Sequence, residues 1–148
     1  MPQYTLEESF VRDQAKPGPV LNADLTGKTV IVIGANTGLG FETAKHLATM
    51  NPARLVLGCR SKERGEAALQ RKDSFLLFPR RSSTVTGLVE TTQYTRAELW
   101  LIDLANFASV KAFADKVTDE LDRVDILIEN AAVATFKYSV TVDGWENT

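Results

Sequence analysis

The stretch TVIVIGANTGLG, residues 29–40, decides the fold that this sequence predicts. It opens with a β-branched run without polar alternation, which is typical of a strand that is covered on both faces. Gly34 ends that run, and Asn36 or Thr37 stands where it can cap a helix from Gly38 to Met50. The stretch therefore predicts a buried parallel strand that leads through a glycine-rich turn into a helix.

The rest of the chain repeats this alternation of apolar runs and amphipathic helices. Such an alternation predicts an α/β fold with a parallel sheet and right-handed crossovers. On the first helix, the apolar positions expected to face the sheet are Leu39, Ala44, Leu47 and Ala48. Further strands are predicted at Leu55–Leu57, Leu99–Ile102 and Val124–Ile128. Further helices are predicted at about 62–71 and 108–121, the latter with an apolar face of Val110, Phe113, Ala114, Val117 and Leu121.

Composition places the chain among ordinary globular domains. Its 148 residues correspond to about one domain, with 44% hydrophobic and 24% charged residues. This excludes a largely disordered chain and a disulfide scaffold, and the single Cys59 cannot pair within the chain. The formal charge of −2 gives no indication of nucleic acid as a partner. No membrane span of roughly 20 apolar residues and no secretory signal is found, so a cytoplasmic location is predicted.

The predicted domain organisation is an N-terminal leader over residues 1–26 and one α/β unit over residues 27–148. An atypical insertion at about 72–87 interrupts that unit, because helix-to-strand connections usually take about 2–6 residues. A flexible surface loop and a retained intron are the two interpretations left open. Excision of the intron would join Arg71 to Leu88 in frame.

The glycine spacing Gly34-x-x-x-Gly38-x-Gly40 has a specific chemical use. Glycines allow the backbone to approach a pyrophosphate closely, and a helix N-terminus offers unpaired N–H groups and the positive end of the helix dipole. A plain structural turn would also contain glycines. The position between a strand and a helix nevertheless favours a dinucleotide site, so the sequence predicts a Rossmann-type sheet with flanking helices.

Arg60 follows the second predicted strand, where such folds usually carry an acid that binds the ribose 2′-hydroxyl of NAD. An arginine at this place favours the 2′-phosphate of NADP instead. The alternative interpretation is a solvated arginine at the start of a helix. Ser61 is placed either to cap that helix or to donate to the phosphate.

Taken together, these features resemble the short-chain dehydrogenase/reductase family, in its retinol-dehydrogenase-like and fungal members, over about residues 24–148. The likeness extends to three further segments: Asp103-Leu104, Glu129-Asn130-Ala131-Ala132, and Thr141-Val142-Asp143-Gly144-Trp145-Glu146. The first resembles the pair that contacts adenine, the second the family's Asn-Asn-Ala-Gly, and the third the opening of the next helix. The resemblance covers the N-terminal portion of the family fold and implies a sheet truncated after about four strands.

The resemblance also implies NADP as cofactor and a role for each matching residue. Arg60 would hold the 2′-phosphate, Asp103 and Leu104 the adenine, and Asn130 and Ala131 the inner ribose side. The phosphates would be bound by Gly34, Asn36, Thr37, Gly38, Leu39 and Gly40. The parent reaction would be hydride transfer between nicotinamide and a small-molecule carbonyl or alcohol substrate.

One family motif is absent from the sequence. Family members use Tyr-x-x-x-Lys, in which the lysine lowers the tyrosine pKa for proton exchange with the carbonyl oxygen. The tyrosines here, Tyr4, Tyr94 and Tyr138, are followed four positions later by Glu8, Glu98 and Val142. No catalytic residue is therefore assigned, and turnover is not expected of this chain alone. A non-catalytic nucleotide-binding module and a non-functional gene fragment stay open as alternatives.

Other reactive residues give weaker signals. His46 is the only histidine and is expected to pack rather than to catalyse. Arg60 beside Cys59 would lower the pKa of its thiol, but no base partner is visible. No metal-ligand cluster is predicted. A methyltransferase-type unit would require an acid where Arg60 stands. The fourth strand is expected to form an exposed edge, which favours aggregation or pairing and predicts poor solubility of the isolated chain.

Overall fold

The computed structural model describes residues 18–70 and 87–147, and these ranges contain four strands and four helices. The strands are β1 (Thr29–Ile33), β2 (Arg54–Cys59), β3 (Ala97–Leu101) and β4 (Ile126–Glu129). The helices are α1 (Gly38–Thr49), α2 (Lys62–Gln70), α3 (Leu88–Thr92) and α4 (Phe107–Glu120).

The four strands form one parallel sheet in the order β3-β2-β1-β4. The predicted Rossmann-type sheet with flanking helices is therefore confirmed. Strand β1 is bonded on both sides, and its last residue, Ile33, lies level with Gly58 of β2 and Glu129 of β4. This register brings the carboxyl ends of the strands to one edge, where ligands of open α/β sheets bind.

Two apolar cores cover the two faces of the sheet, because successive residues of each strand point to opposite sides. On one face, α1, α2 and α3 pack against Val30, Val32, Leu55, Leu57 and Cys59. On the other face, α4 packs against Ile31, Ile33, Val56, Trp100 and Ile102. The full burial of β1 agrees with its unbroken β-branched sequence.

The boundaries of β3 and β4 differ from the predicted ones. Strand β3 begins at Ala97, two residues earlier than expected, because Ala97 continues the pairing with Leu55 of β2. Strand β4 begins at Ile126 rather than at Val124. Its pairing with β1 begins only at Ile126, because the N–H of Thr29 donates to the side chain of Asp125.

The inward face of α1 was predicted wrongly at one position. Leu39 is 82% exposed, whereas Gly40 and Phe41 are buried together with Ala44, Leu47 and Ala48. The glycine leaves room for the turn to lie against the helix, so the apolar contacts begin at Phe41. Phe113 on α4 and Leu121 directly after it are buried as expected, whereas Ala114 is exposed.

Helix α3 follows the predicted insertion at 72–87 and lies in the connection between α2 and β3. It is five residues long, too short to carry a helical periodicity, and its Leu88 is completely buried. Gly87 precedes its first turn. The rest of the predicted insertion lies outside the described residues, as does Arg71, which was predicted to end α2.

Part of the predicted leader is described and contacts the α/β unit. The N–H of Leu25 donates to the carbonyl of Met50, and the Leu25 side chain belongs to the first core. The Nε2 atom of His46 lies 2.9 Å from the carbonyl oxygen of Leu21, in keeping with the predicted packing role of His46. The boundary at residue 26 stays a prediction.

Asp125 joins the amino ends of β1 and β4. Its Oδ2 atom accepts from the N–H of Thr29 at 2.9 Å, and its Oδ1 atom accepts from Nζ of Lys28 at 3.2 Å and from the guanidinium of Arg123. The N–H bond from Thr29, followed by the two cations, holds the pKa of this carboxyl below its ordinary value of 3.8.

We expect Asp125→Ala to lower the melting temperature of the chain more than the matched substitution Asp122→Ala, whose carboxylate is exposed. Because the pKa of Asp125 is lowered by folding, its stabilising effect is present above the unfolded pKa and is lost as pH falls through the folded one. Melting temperatures measured from neutral to acidic pH should therefore converge for wild type and Asp125→Ala. Equal melting temperatures of the two variants at pH 7 would contradict this role.

Strand β4 is an edge strand among the described residues, and one of its sides is open. Leu127 lies next to Ile31 of β1, on the same face of the sheet as α4, and it is 52% exposed. An open edge with an exposed apolar side chain favours pairing between chains. We expect Leu127→Lys to reduce concentration-dependent association in sedimentation velocity, whereas Val142→Lys, at an exposed site outside the sheet, should have little effect. A wild-type chain that stays monodisperse at high concentration would contradict this expectation.

Candidate functional site

A cleft of about 780 Å³ opens at the carboxyl edge of the sheet. The residues that line it follow the ends of all four strands and include a segment after β4. They are Ile33, Gly34, Asn36, Thr37, Gly58, Arg60, Ile102, Asp103, Leu104, Ala105, Asn130, Ala131, Ala132, Val133, Thr135, Thr141, Glu146 and Asn147. The register of the sheet thus gathers residues that are far apart in the chain.

Gly34 occupies a position that only glycine fits. Its φ of +81° lies in the left-handed region, and a Cβ atom there would lie 2.8 Å from Cα of Ala131. The N–H of Gly34 donates to the carbonyl of Gly58 at 2.7 Å. The turn after β1 is therefore held against both neighbouring strand ends.

Gly40 lies in the first turn of α1 and allows the glycine turn after β1 to approach this helix. A Cβ atom on Gly40 would lie 2.3 Å from the carbonyl oxygen of Gly34 and 2.4 Å from Nδ2 of Asn130. The Asn130 amide itself donates to the Gly34 carbonyl at 3.1 Å. Asn130 thus satisfies a backbone group of the glycine turn.

The N-terminus of α1 faces the cleft without a side-chain cap. Thr37 stands at the N-cap position in extended conformation, and its side chain makes no capping hydrogen bond within the described residues. The first N–H groups of a helix have no partner inside the helix. These donors, with the positive end of the helix dipole, are suited to an anion such as a phosphate.

Arg60 lines the cleft directly after β2 and is exposed. Among the cleft-lining residues within 18–70 and 87–147 it is the only lysine or arginine, and its guanidinium forms no ion pair with a described residue. Ser61 next to it caps α2, since its Oγ accepts from the N–H of Arg64 at 3.3 Å. The capping role predicted for Ser61 is therefore observed.

Asp103 and Leu104 form a turn between β3 and α4. The Oδ1 atom of Asp103 accepts from the N–H of Ala105 at 3.0 Å, and its own N–H donates to Oγ of Ser109 at 2.9 Å. Asn106 then caps α4 through bonds from the N–H groups of Ala108 and Ser109. These bonds fix the turn, and Asp103 and the half-exposed Leu104 line the cleft.

Cys59 is not activated in this setting. Its side chain is 2% exposed, and burial raises the pKa of the thiol, against a smaller opposing effect of the Ala35 N–H. The effect that Arg60 was expected to have on this thiol is therefore not found. No group of three or more His, Cys, Asp or Glu side chains suited to a metal ion occurs among the described residues.

Hairpin 139–147 forms the outer wall of the cleft, where the sequence led us to expect the opening of a helix. Its ends pair through a bridge between Val140 and Glu146, and Gly144 turns the chain with a φ of +82°. The N–H of Thr141 donates to the carbonyl of Trp145 at 2.7 Å. The expected helix opening is therefore wrong over these residues, and the roles of Thr141, Glu146 and Asn147 as cleft-lining residues were missed.

The structure brings most of the predicted site residues together. Those that line the cleft are Gly34, Asn36, Thr37, Arg60, Asp103, Leu104, Asn130 and Ala131. Gly38, Leu39 and Gly40 lie beside it in the first turn of α1 and do not line it. Their assignment to the phosphates stays a prediction. None of the helices in the described part of the chain is long and apolar enough to cross a membrane.

Comparison with known proteins gives the family of the chain. The profile of the family described as short chain dehydrogenase matches residues 28–148. Short chain dehydrogenase FGM9 of Gibberella zeae is 33% identical over 141 residues, and retinol dehydrogenase 13 of Mus musculus is 41% identical over 124 residues. These alignments cover 95% and 84% of this chain.

Solved structures agree with the fold. A metagenomic short-chain oxidoreductase in complex with NADP is 28% identical, with a TM-score of 0.58, and the match covers 77% of this chain and 43% of that one. Menthone neomenthol reductase from Mentha piperita is also 28% identical, with a TM-score of 0.57, covering 73% of this chain and 32% of the other. The chain spans 37% of the Gibberella protein and 32% of the mouse protein. It belongs to the short chain dehydrogenase family.

Proposed function

We propose that the chain binds NADP(H) in the cleft and forms the nucleotide-binding portion of a short-chain dehydrogenase. The parent reaction is hydride transfer between the nicotinamide and a small-molecule carbonyl or alcohol, with the chemistry of the hydride supplied by the cofactor. The observation that supports this most strongly is the shared cleft of the glycine turn, Arg60, Asp103 and Asn130.

The residues present fit a dinucleotide in chemical terms. The uncapped N-terminus of α1 offers backbone donors to a pyrophosphate. Because Gly34 and Gly40 have no side chains, the turn between them packs closely against α1 and the end of β4. Asp103 offers an acceptor for an amino group and Leu104 an apolar surface for a base. Asn130 and Ala131 would lie at the inner ribose side. The metagenomic neighbour is in complex with NADP, and NADP is proposed here as the cofactor of this chain.

The choice of NADP over NAD rests on Arg60. A guanidinium after β2 that forms no ion pair with a described residue can bind a 2′-phosphate, whereas an acid at this place would repel it. Neighbouring Ser61 already bonds the Arg64 N–H and the carboxylate of Glu63, so its hydroxyl is engaged within α2. Arg60 is therefore proposed as the residue that selects the cofactor.

A second candidate is a nucleotide-binding module without catalysis. The sequence leaves this candidate open, because no tyrosine in it is followed four positions later by lysine. The third candidate, a gene fragment without function, predicts no binding at all. A cytoplasmic location and the absence of a nucleic-acid partner stay predictions.

We expect Arg60→Ala to weaken NADPH binding while NADH binding is nearly unchanged. Loss of a charge-assisted bond to the 2′-phosphate costs about 1.5–3 kcal/mol, which is roughly 10–150-fold in Kd. Titration of the chain with both cofactors, followed by nicotinamide fluorescence, measures this difference. Arg64→Ala, which removes a nearby exposed cation from α2, is the matched control. Equal losses for NADPH and NADH would show that Arg60 does not select the phosphate.

We also expect the 148-residue chain to bind NADPH without oxidising it when carbonyl substrates are added, because the sequence has no Tyr-x-x-x-Lys pair. Absorbance at the reduced-nicotinamide band, recorded with a panel of aldehydes and ketones, measures turnover. Steady NADPH consumption would contradict the expectation that this chain does not catalyse hydride transfer. Failure of the chain to bind either cofactor would favour the fragment instead.

A further inference from the structure

One polar and specific contact joins hairpin 139–147 to α4. The Oδ2 atom of Asp143, near the tip, accepts from the N–H of Phe107 at 2.7 Å. Phe107 is the first residue of α4, so its N–H has no partner within the helix. A carboxylate at this helix end is also favoured by the helix dipole.

The apolar part of this attachment is small. The rings of Phe107 and Trp145 lie 6.3 Å apart, and their residues are 55% and 65% exposed. Val142, at the same tip, is 81% exposed. Little apolar surface is therefore buried between the hairpin and α4, and the Asp143 bond carries a large share of the docking.

The hairpin contributes three polar residues to the cleft. Thr141, Glu146 and Asn147 line it together with residues of the glycine turn. The Oγ1 atom of Thr141 accepts from the N–H of Trp145, and Nδ2 of Asn147 donates to Oγ of Ser139. No described residue bonds to the hydroxyl proton of Thr141 or to the side-chain oxygen of Asn147, so both can bind hydroxyl and amino groups of a ligand.

We infer that Asp143 is a positioning residue, which holds hairpin 139–147 against α4 so that the cleft keeps its outer wall around the dinucleotide. This inference rests on the proposed binding of NADP(H). When only a fraction of molecules has the wall in place, the apparent Kd rises by the inverse of that fraction. Asp143 touches no ligand itself and acts through the hairpin.

The test compares Asp143→Ala with Asp143→Asn and Asp119→Ala in the full chain. The asparagine keeps an acceptor oxygen for the Phe107 N–H, so its Kd for NADPH should stay within about threefold of wild type. Asp143→Ala should raise the Kd by about tenfold, which corresponds to about 1.4 kcal/mol. Asp119→Ala removes the same charge from the exposed side of α4 and should leave the Kd unchanged or slightly lower.

Hydrogen exchange of the Phe107 amide, measured by NMR without ligand, reports directly whether the amide is bonded to Asp143. Protection in wild type and Asp143→Asn, together with its loss in Asp143→Ala, is the expected pattern. An unchanged Kd for Asp143→Ala despite lost protection would overturn the inference and leave the proposed function standing. An unprotected Phe107 amide in wild type would overturn it as well. No NADPH binding by wild type, with the amide protected, would instead refute the proposed function, and the ligand-binding part of the inference with it.

Discussion

Three segments of the chain meet at Ile33 and Gly34, and the arrangement of the cleft depends on that meeting. The carbonyl of Ile33 accepts from the N–H groups of Asn130 and Ala131, and the N–H of Gly34 donates to Gly58. Side chains cannot enter this junction, because a Cβ atom on Gly34 would collide with Ala131. Backbone atoms therefore fix the relative positions of the glycine turn, the end of β2 and the end of β4.

The chemical groups of the cleft follow from this backbone junction. Asn130, after β4, is linked to the glycine turn through its bond to the Gly34 carbonyl, and Arg60 follows the end of β2. Residues from distant parts of the sequence thus come to one side of the sheet without a long-range side-chain network. This is the general behaviour of parallel α/β sheets, whose ligand sites lie at the carboxyl ends of the strands.

The features that were predicted correctly from the sequence are those that interactions between neighbouring residues determine. Strand β1 and the glycine turn were recognised because β-branched burial and the glycine spacing are both short-range signals. Leu39 was placed on the wrong face, since a periodic pattern gives no weight to the close approach that Gly40 permits. Helix α3 is too short for periodicity and owes its burial to tertiary packing of Leu88. The contact of Asp143 with Phe107 spans 36 positions and has no sequence signal at all.

The carboxylate of Asp125 lies at the amino edge of the sheet, and the cleft lies at the opposite edge. A five-residue strand spans about 17 Å, which exceeds the roughly 7–10 Å over which substitutions usually couple. Sequence changes at the amino edge should therefore act on how much folded protein a cell maintains and leave ligand preference untouched. Variation at the two edges accumulates separately, so we expect natural variants of this chain to differ in abundance while sharing one specificity.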